Sequence, residues 1–539
     1  MKKTLGSHLV EILEAQGVQH VFGIPGVHNL ELYRGLASSH IRHVTGRHEQ
    51  GLGFMADGYA RVARRPGVCF TITGPGLTNI STAMGQAYAD SVPLLVISSE
   101  NRSCDLGTGR GFLHEMPEQL GLAARVAGFS RRITRPEELQ EAVAQAFSVM
   151  SNGRPRPAYI EIPRDVMTLD ASGLPAPAGA VRASRPSAPA TALAEAAAQL
   201  RAARTPLIIA GGGALGAARE LRQLAERLGA PLLMTINARG LLPPEHPLGV
   251  SMSPSLGAVR TLIAAADVVF AVGTELGPTD FDMYALFEHY PVENFRPPAK
   301  LIRIDIDAAQ LERSAHPTLA LCADAASSLQ GILAQDLGPA RAQAGAARAA
   351  AAGASALAEL SPALRRELQF LATIRSALPR AILVGDSTQP VYAGNLGFSA
   401  ATPGSWFNSA TGFGTLGYAL SASTGAGLAA PDRPVVCLVG DGGIQFLLGE
   451  LAVPRDVDAW SAIVIWNNYG YGEIKSSMLA VGIDPVGVDV RPPDFSHIAR
   501  AYGYTHQLID SLESLERALQ DFGARRQVVV LEVSGEAFE

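Results

Sequence analysis

The sequence predicts an α/β protein with three doubly wound parallel-sheet domains, and three observations support this prediction. Apolar segments of strand length alternate with segments of helical periodicity, which is the βαβ pattern of parallel sheets. A chain of 539 residues is too long for one hydrophobic core, so several domains are expected. In the last third, polar residues directly follow two apolar strands, which is where open α/β sheets bind ligands.

The first domain is predicted over residues 1–170. Its helices are expected near Leu5–Gln16, Leu30–Leu36, Glu49–Val62 and Leu77–Ala89, and its strands at Gln19–Gly23, His40–Thr45, Val68–Thr73 and Pro93–Ser98. A Pro-, Ala-, Ser- and Gly-rich stretch, residues 172–191, is typical of a linker to the next domain.

The middle domain is predicted over residues 191–335 and the last domain over residues 361–539, joined by an Ala- and Arg-rich, partly helical connector at Gly338–Leu360. The predicted strands of these two domains are Pro206–Ala210, Pro231–Thr235, Val268–Val272, Leu301–Ile306, Ala381–Gly385, Pro434–Val439, Ala462–Trp466 and Gln527–Val533. The helical segments between them again favour parallel sheets.

Composition argues against several classes of protein. The net charge is −6 without a basic block, which gives no electrostatic support for nucleic-acid binding. The longest apolar runs have strand length, so no membrane span is expected. The four cysteines, Cys69, Cys104, Cys322 and Cys437, lack metal-site spacing, and a cytoplasmic location is the expectation.

One segment of the last domain has the features of a diphosphate and metal site. The turn Gly440-Asp441-Gly442-Gly443 follows one apolar strand, and the pair Asn467-Asn468 follows the next. Glycines let backbone amides approach a phosphate, and a following helix would direct its N-terminus at that anion. The Asp441 carboxylate, the Asn468 amide oxygen and the Gly470 carbonyl are oxygen ligands of the kind that Mg²⁺ prefers.

This pattern, GDG with NN beginning 27 residues later, resembles the signature of thiamine-diphosphate (ThDP) enzymes of the pyruvate decarboxylase and acetolactate synthase superfamily. The resemblance covers essentially the whole chain. It implies a pyrimidine-binding domain first, a middle domain, and a diphosphate-binding domain last. It also implies the cofactors ThDP and Mg²⁺, held between the first domain of one subunit and the last domain of its partner. A homodimer or homotetramer with active sites at the subunit interface is therefore expected.

The resemblance further implies residues that contact the cofactor. ThDP becomes nucleophilic when its aminopyrimidine deprotonates the thiazolium C2, and a carboxyl group at the pyrimidine ring drives the required tautomer. Glu49 occupies the position of that carboxyl, although a glutamate at a helix N-terminus is also an ordinary capping residue. Gly26 and Gly74 lie in loops similar to the family's substrate-side and pyrimidine-side loops. Leu416 stands where the family has an apolar residue under the bent cofactor, and it would also suit a core.

Two histidines, His28 and His114, stand where the family has polar side chains near the reacting carbon. A decarboxylase must protonate the enamine that remains after CO₂ leaves, and proton transfer near neutral pH favours histidine. The alternative for each is a histidine in a surface loop.

Glu473 is the main predictor of the substrate, because synthase relatives have an apolar residue there. Burying a carboxylate is costly unless it is paired, and a guanidinium tail would pair it with two parallel hydrogen bonds. Asp280, Asp282 and Gln389 are further predicted substrate residues. The alternative for Glu473 is an exposed helix residue paired to Lys475 or Arg500, since both lie nearby in the chain.

The segments around His28, His114 and Gln389 most resemble those of decarboxylases that convert 5-guanidino-2-oxopentanoate to 4-guanidinobutanal and CO₂. Two alternatives stay open. An acetolactate synthase-like carboligase would join the same enamine to a second 2-oxo acid. A non-catalytic, regulatory ThDP-fold subunit is the alternative of another class, against which the presence of Glu49, Asp441 and Asn468 argues.

The middle domain contains a formal G-x-G-x-x-G, Gly211–Gly216, directly after a predicted strand. The next strand ends without an acidic residue for a ribose, which argues against NAD. Acetolactate synthase relatives hold FAD in this domain and have an Arg-Phe-Asp-Asp-Arg-like run there. The corresponding residues 273–284 lack the arginines, so FAD is not expected.

Overall fold

The computed structural model describes residues 3–180, 184–282 and 300–538. Three six-stranded parallel sheets flanked by helices account for the fold of these residues, which confirms the predicted α/β class. Their strands, in chain order, are β1 His20–Gly23, β2 Arg42–Thr45, β3 Gly67–Thr71, β4 Leu94–Glu100, β5 Phe129–Arg132, β6 Ala158–Pro163, β7 Pro206–Ala210, β8 Leu232–Met234, β9 Gly249–Val250, β10 Val268–Val272, β11 Leu301–Asp305, β12 Leu319–Cys322, β13 Ile382–Gly385, β14 Trp406–Asn408, β15 Val435–Gly440, β16 Ser461–Asn467, β17 Thr505–Ile509 and β18 Val529–Ser534.

Helices connect most of these strands. The described α-helices are α1 Leu5–Ala15, α2 Leu30–Leu36, α3 Glu49–Ala63, α4 Pro75–Ala89, α5 Gln119–Ala124, α6 Leu139–Ser151, α7 Arg164–Met167, α8 Ala190–Ala202, α9 Ala218–Leu228, α10 Gly257–Ala264, α11 Pro278–Phe281, α12 Ala308–Leu311, α13 Ala325–Leu333, α14 Ala342–Glu359, α15 Pro362–Ala377, α16 Gln389–Gly397, α17 Tyr418–Ala429, α18 Asp441–Ile444, α19 Val453–Asp456, α20 Gly472–Ala480, α21 Phe495–Ala501 and α22 Leu512–Arg525. None of them combines the length and the hydropathy needed to cross a bilayer.

The first and third sheets have the same strand order. The first sheet runs β2-β1-β3-β4-β6-β5, and the third runs β14-β13-β15-β16-β18-β17. In the first sheet the strand order reverses between β1 and β3, and in the third sheet between β13 and β15. A crevice for ligands is expected at each of these points. The middle sheet runs β12-β11-β10-β7-β8-β9, so its order reverses between β7 and β10 instead.

Both faces of the middle sheet are buried, which explains why its strands are continuous apolar segments in the sequence. Along β7, Ile208 and Ala210 pack into one core cluster, whereas Leu207 and Ile209 pack into another. Because helices cover both faces, alternate residues of one strand serve two cores, and no position is left for a polar side chain.

The described residues form two compact units. One contains Met1–Ser184, Gly412–Cys437 and Gly443–Ser461, and the other contains Arg185–Thr411, Leu438–Gly442 and Ala462–Glu539. The first sheet lies wholly in the first unit, and the middle sheet lies wholly in the second. The predicted limits of the three domains stay predictions.

Candidate active site

Glu49, the predicted activating acid, is the first residue of α3 in the first unit. His48 is the N-cap of this helix, and its Nδ1 accepts a hydrogen bond of 3.1 Å from Gln50 N. The Glu49 carboxylate accepts a hydrogen bond of 2.9 Å from Asn79 Nδ2 on α4. Burial, and then the nearby charge of Glu49, raise the pKa of the Tyr33 hydroxyl. Because Glu49 is itself only partly buried, its carboxyl remains open to a ligand.

The two predicted histidines lie side by side in the first unit. The rings of His28 and His114 are stacked, with centroids 5.0 Å apart and planes at 30°. His28 is only 4% exposed, which excludes the surface-loop alternative for that residue. Burial lowers the pKa of His28, the charges of His114 and Arg164 lower it further, and the Asn101 side chain raises it.

Both histidines keep a polar atom for a ligand. Within the described residues, Nδ1 of His28 and Nδ1 of His114 are buried and have no hydrogen-bond partner. His114 also adopts a φ of 63°, a left-handed backbone conformation that is costly for a side chain of this size and that clusters at functional sites. The His28 imidazole is therefore suited to exchanging a proton with a bound molecule, because burial beside a second imidazole disfavours its charged form.

Asn101 is a polar residue of this cluster that the sequence reasoning missed. It directly follows β4, its side chain is 4% exposed, and its Nδ2 is buried without a hydrogen-bond partner in the described part of the chain. Its place at the carboxyl end of a strand, next to Glu100, is the signal that could have found it.

The glycine loops predicted on the substrate side (Gly26) and on the pyrimidine side (Gly74) lie in turns of the first unit. Gly26 N donates a hydrogen bond of 2.8 Å to Asn29 Oδ1. Gly74 has a φ of 66° and precedes α4, and its N–H donates to Gln119 Oε1 at 2.8 Å. A Cβ at Gly74 would lie 2.6 Å from the His114 carbonyl oxygen, so the close approach of these two loops requires glycine.

Leu416 lies in a segment that is anchored on both sides. Thr415 Oγ1 donates to Gln86 Oε1 at 2.9 Å, and Tyr418 Oη donates to Asp57 Oδ1 at 2.5 Å. Both anchors are buried, whereas Leu416 itself is half-buried. A core role alone does not account for this exposure, which fits a residue that presents an apolar surface to a ligand.

The predicted metal ligands converge in the second unit. Asp441 is 1% exposed at the end of β15, and its Oδ1 accepts a hydrogen bond of 3.4 Å from Asn468 N. One terminal atom of the Asn468 side-chain amide lies 2.9 Å from Gly470 O and 3.1 Å from Asp441 Oδ1. Burial raises the pKa of Asp441 to about 6, against the effect of the neighbouring N–H groups.

This donor set fits Mg²⁺. With the amide nitrogen of Asn468 at that position, the side chain donates to both oxygens. With the amide oxygen there, three oxygens face one another, an arrangement that only a cation stabilises. Octahedral Mg²⁺ with bonds of 2.0–2.1 Å places neighbouring ligand oxygens about 2.9 Å apart, close to the spacing observed here.

Gly440 ends β15, and Gly442 and Gly443 lie in the short helix α18.

Gln389 and Glu473 lie near this cluster. Gln389 begins α16. When the amide oxygen of Asn468 faces Asp441, Asn468 Nδ2 donates a hydrogen bond of 3.3 Å to Gln389 Oε1. Glu473 lies in the first turn of α20 and is half-buried, and burial raises the pKa of its carboxyl group. Burial, with the charges of Glu473 and Asp386, raises the pKa of Tyr392 to about 12.

The alternative pairing of Glu473 with a neighbouring cation is wrong. Lys475 forms its ion pair with Asp489, at 2.8 Å, and Arg500 donates to the Ser496 carbonyl. Among the described residues, Glu473 has no hydrogen-bond or ion-pair partner.

The two middle-domain acids have partners inside their own domain. Asp280 Oδ1 accepts a hydrogen bond of 3.0 Å from Ile236 N, and Asp282 lies 3.2 Å from the Arg260 guanidinium. These contacts account for the burial of both carboxylates without a ligand, and the predicted substrate role of each stays a prediction. Met283 and Tyr284, which end the run compared with the FAD site, lie outside the described residues.

The first part of the glycine loop Gly211–Gly216 packs against the turn that follows β10. Gly213 N donates to Gly273 O at 3.0 Å, and a Cβ at Gly211 would lie 2.3 Å from that same oxygen. Gly211 and Gly213 therefore serve the close approach of the turns that follow β7 and β10. The prediction against NAD stays a prediction.

Three family models match this chain in series. The model for the N-terminal TPP binding domain of thiamine pyrophosphate enzymes matches residues 3–122, the central-domain model matches residues 193–332, and the C-terminal TPP binding domain model matches residues 386–533.

Similar proteins span nearly the same length. A probable 2-ketoarginine decarboxylase of Pseudomonas aeruginosa is 46% identical over 98% of this chain and 94% of its own. The large subunit of acetolactate synthase isozyme 1 of Escherichia coli is 33% identical over 86% of this chain and 81% of its own. An acetolactate synthase of Arthrospira platensis is 29% identical over 99% of this chain and 94% of its own.

Proposed function

Because this chain belongs to the thiamine pyrophosphate enzyme family, we propose that it decarboxylates a 2-oxo acid with a cationic tail, using ThDP and Mg²⁺. The proposed substrate is 5-guanidino-2-oxopentanoate, and the proposed products are 4-guanidinobutanal and CO₂. FAD and NAD are not part of the proposed cofactor set. A cytoplasmic location belongs to the same proposal.

Each group of predicted site residues has a separate proposed role. Asp441, Asn468 and the Gly470 carbonyl would hold Mg²⁺, and the turn that follows β15 would hold the diphosphate. ThDP, when bound, supplies a nucleophilic carbon and an acceptor for the electron pair that CO₂ leaves behind. Glu49 would exchange a proton with the pyrimidine ring, and the pair of His28 and His114 would deliver the proton that replaces CO₂.

The partial burial of the Glu473 carboxyl without a partner is the main support for the proposed substrate. This carboxyl is half-buried, and none of the described side chains pairs with it. A guanidinium would neutralise this carboxylate through two parallel hydrogen bonds, whereas a neutral tail would leave it desolvated and unpaired. The name of the similar P. aeruginosa protein, a probable 2-ketoarginine decarboxylase, also supports a guanidino 2-oxo acid.

The acetolactate synthase-like reaction is the second candidate, because several similar proteins carry that name. In that reaction the electron pair attacks a second carbonyl carbon instead of taking a proton. The stacked histidines favour protonation, since they place a proton donor beside the substrate-side loop. Incubation with single 2-oxo acids, followed by assays for CO₂, free aldehyde and acyloin, distinguishes the two reactions. A non-catalytic protein would consume none of them.

We expect Glu473→Gln to lower kcat/KM for 5-guanidino-2-oxopentanoate by about thirtyfold or more. Loss of one partner of a desolvated charge pair costs roughly 2–5 kcal/mol, and each 1.4 kcal/mol corresponds to about tenfold in rate. A neutral 2-oxo acid of similar length makes no such pair, so its kcat/KM should change little. Steady-state kinetics with both substrates measure the ratio of the two effects, which separates specificity from general damage.

Asp489→Asn is the matched control for that experiment. Asp489 is an exposed acid that pairs with Lys475, and Lys475 lies in the same helix as Glu473. This variant should affect both substrates equally and weakly. An equal loss for both substrates in Glu473→Gln would place Glu473 in the scaffold or the chemistry. No loss for either substrate would remove it from the substrate site.

The proposed enzyme contains at least two copies of the chain, with active sites shared between them. Glu49→Gln and Asp441→Ala subunits are each expected to be inactive alone. Coexpressed in equal amounts, they should recover roughly a quarter of the parental activity, since half of the pairs are mixed and each mixed pair has one intact site. Activity no higher than that of the separate variants would show that one chain supplies both residues to a site.

A further inference from the structure

Glu450 is a buried carboxylate that receives two backbone N–H groups from the start of α3. It lies in the 3₁₀ segment Gln445–Ala452 and is 1% exposed. Its Oε1 accepts hydrogen bonds from Arg47 N and His48 N, each at 2.8 Å. All of these residues belong to the first unit, although about 400 positions separate them in the chain.

Those two N–H groups immediately precede Glu49. His48 is the N-cap of α3 and Glu49 is its first residue, so Glu450 holds the backbone that sets the direction of the Glu49 side chain. Hydrogen bonds from N–H groups to a carboxylate are stronger than neutral ones, and buried N–H groups left without an acceptor are costly. The start of α3 therefore depends on this one carboxyl group for two of its donors.

Two glycines leave the space that the carboxyl occupies. A Cβ at Gly51 would lie 2.7 Å from Glu450 Oε1, and a Cβ at Gly46 would lie 3.3 Å from Glu450 Oε2. Glycine at position 51, inside a helix, carries a conformational cost that this contact explains. Oε2 itself is buried and has no hydrogen-bond partner in the described ranges.

The electrostatics agree with this placement. Burial raises the pKa of Glu450, the N–H groups of Arg47 and His48 lower it, and the charge of Glu49 raises it again. The carboxyl groups of Glu450 and Glu49 therefore lie close enough to interact. A second link, the exposed ion pair of Arg47 with Asp456 at 2.8 Å, joins the same two segments without touching the buried donors.

We propose that Glu450 is a positioning residue for Glu49: it anchors the two peptide groups before α3 and so holds the Glu49 carboxyl in its working direction. The inference rests on the proposed function, in which Glu49 exchanges a proton with the cofactor. Glu450 itself touches neither cofactor nor substrate in this scheme.

We expect Glu450→Ala to slow C2 hydrogen–deuterium exchange of bound ThDP by about a hundredfold, the typical cost of a displacement of 1 Å in a catalytic group. Glu450→Gln keeps an acceptor oxygen for both N–H groups and should stay within about threefold of the parent. Glu450→Asp cannot reach those groups and should resemble the alanine variant. Asp456→Ala, the matched control, should exchange like the parent, because its ion pair with Arg47 is exposed.

Amide exchange of the cofactor-free protein supplies an independent measurement. The peptide that contains residues 45–52 should lose protection in Glu450→Ala and Glu450→Asp, and should keep it in Glu450→Gln and Asp456→Ala. If Glu450→Ala fails to fold, the comparison of the Asp and Gln variants carries the test.

The inference is overturned if the Asp variant, or a folded Ala variant, exchanges the ThDP C2 proton like the parent while Glu49→Gln slows that exchange. It is also overturned if Glu450→Gln is as slow as Glu450→Asp, because the charge would then matter instead of the anchoring. A parent protein that does not bind ThDP contradicts the proposed function instead, and the amide-exchange pattern still decides whether Glu450 anchors α3.

Discussion

Asp441→Ala is expected to weaken Mg²⁺ binding by more than about a hundredfold and to abolish ThDP binding with it, since even outer-shell changes at metal sites cost tenfold to a hundredfold. Asp441 is the single anionic ligand in the proposed set, and a diphosphate bound there would be anchored largely through the metal. Titration calorimetry with Mg²⁺ and ThDP measures both affinities.

The metal-free protein should keep its thermal stability in this variant. Burial raises the pKa of Asp441 to about 6, so its charged form is unfavourable in the fold without a cation. Asp432→Ala removes an exposed acid near the opposite end of β15 and is the control. If Asp441→Ala bound Mg²⁺ and ThDP like Asp432→Ala, the proposed metal site would be wrong.

Glu49→Gln is expected to slow C2 proton exchange of bound ThDP by about 10²–10⁴-fold, the usual contribution of a positioned acid or base. The amide keeps an oxygen that can accept the hydrogen bond from Asn79, so ThDP affinity should change little. It cannot take up and release a proton as a carboxyl group does. Exchange in D₂O, followed by acid quench and NMR of the cofactor, gives the rate.

Glu141→Gln, an exposed acid on α6 of the same unit, provides the comparison. Equal exchange rates in Glu49→Gln and Glu141→Gln would remove Glu49 from the activation step. A large loss of ThDP affinity in Glu49→Gln alone would make Glu49 a binding residue instead.

The sequence was most informative where strands are buried on both faces. β7 and β10 lie at their predicted positions, because continuous apolar runs bounded by polar turns leave one interpretation. Most strands at the edges of the sheets were missed, whereas the edge strand β2 lies within the predicted strand His40–Thr45. β5, β12 and β17 are partly exposed and carry mixed polar and apolar residues, so neither a continuous run nor a regular alternation marks them.

β6 was missed for a different reason. It is fully buried, but Glu161 stands in its middle and Pro163 ends it. The structure shows what makes the acid tolerable, since Glu161 Oε1 lies 2.5 Å from Arg132 Nε and Oε2 accepts from Tyr159 Oη. Tyr159 lies two residues earlier on β6 itself, and Arg132 lies on the neighbouring strand β5. The pattern of residues along β6 does not reveal the ion pair with Arg132.

The residues of the candidate site likewise include some that the sequence could predict and one that it could not. Asp441, Asn468 and Gly470 could be predicted together because chain spacing and strand ends bring them to one edge of a sheet. Glu450 could not be predicted as an anchor for α3, since its two donors lie about 400 residues earlier in the chain. The pairing exists only in the folded chain, and Gly46 and Gly51 are local residues whose lack of a side chain reflects it.

The shared strand order of the first and third sheets has an evolutionary consequence. The strand order reverses between β1 and β3 in the first sheet and between β13 and β15 in the third. The candidate residues lie in the loops that leave those strands or their neighbours. One ancestral domain, duplicated and then altered only in these loops, would account for both sheets. On that account one copy would have acquired the histidines and the acid, and the other the proposed oxygen ligands of the metal. The middle sheet, with its different order, would then be an insertion of separate origin.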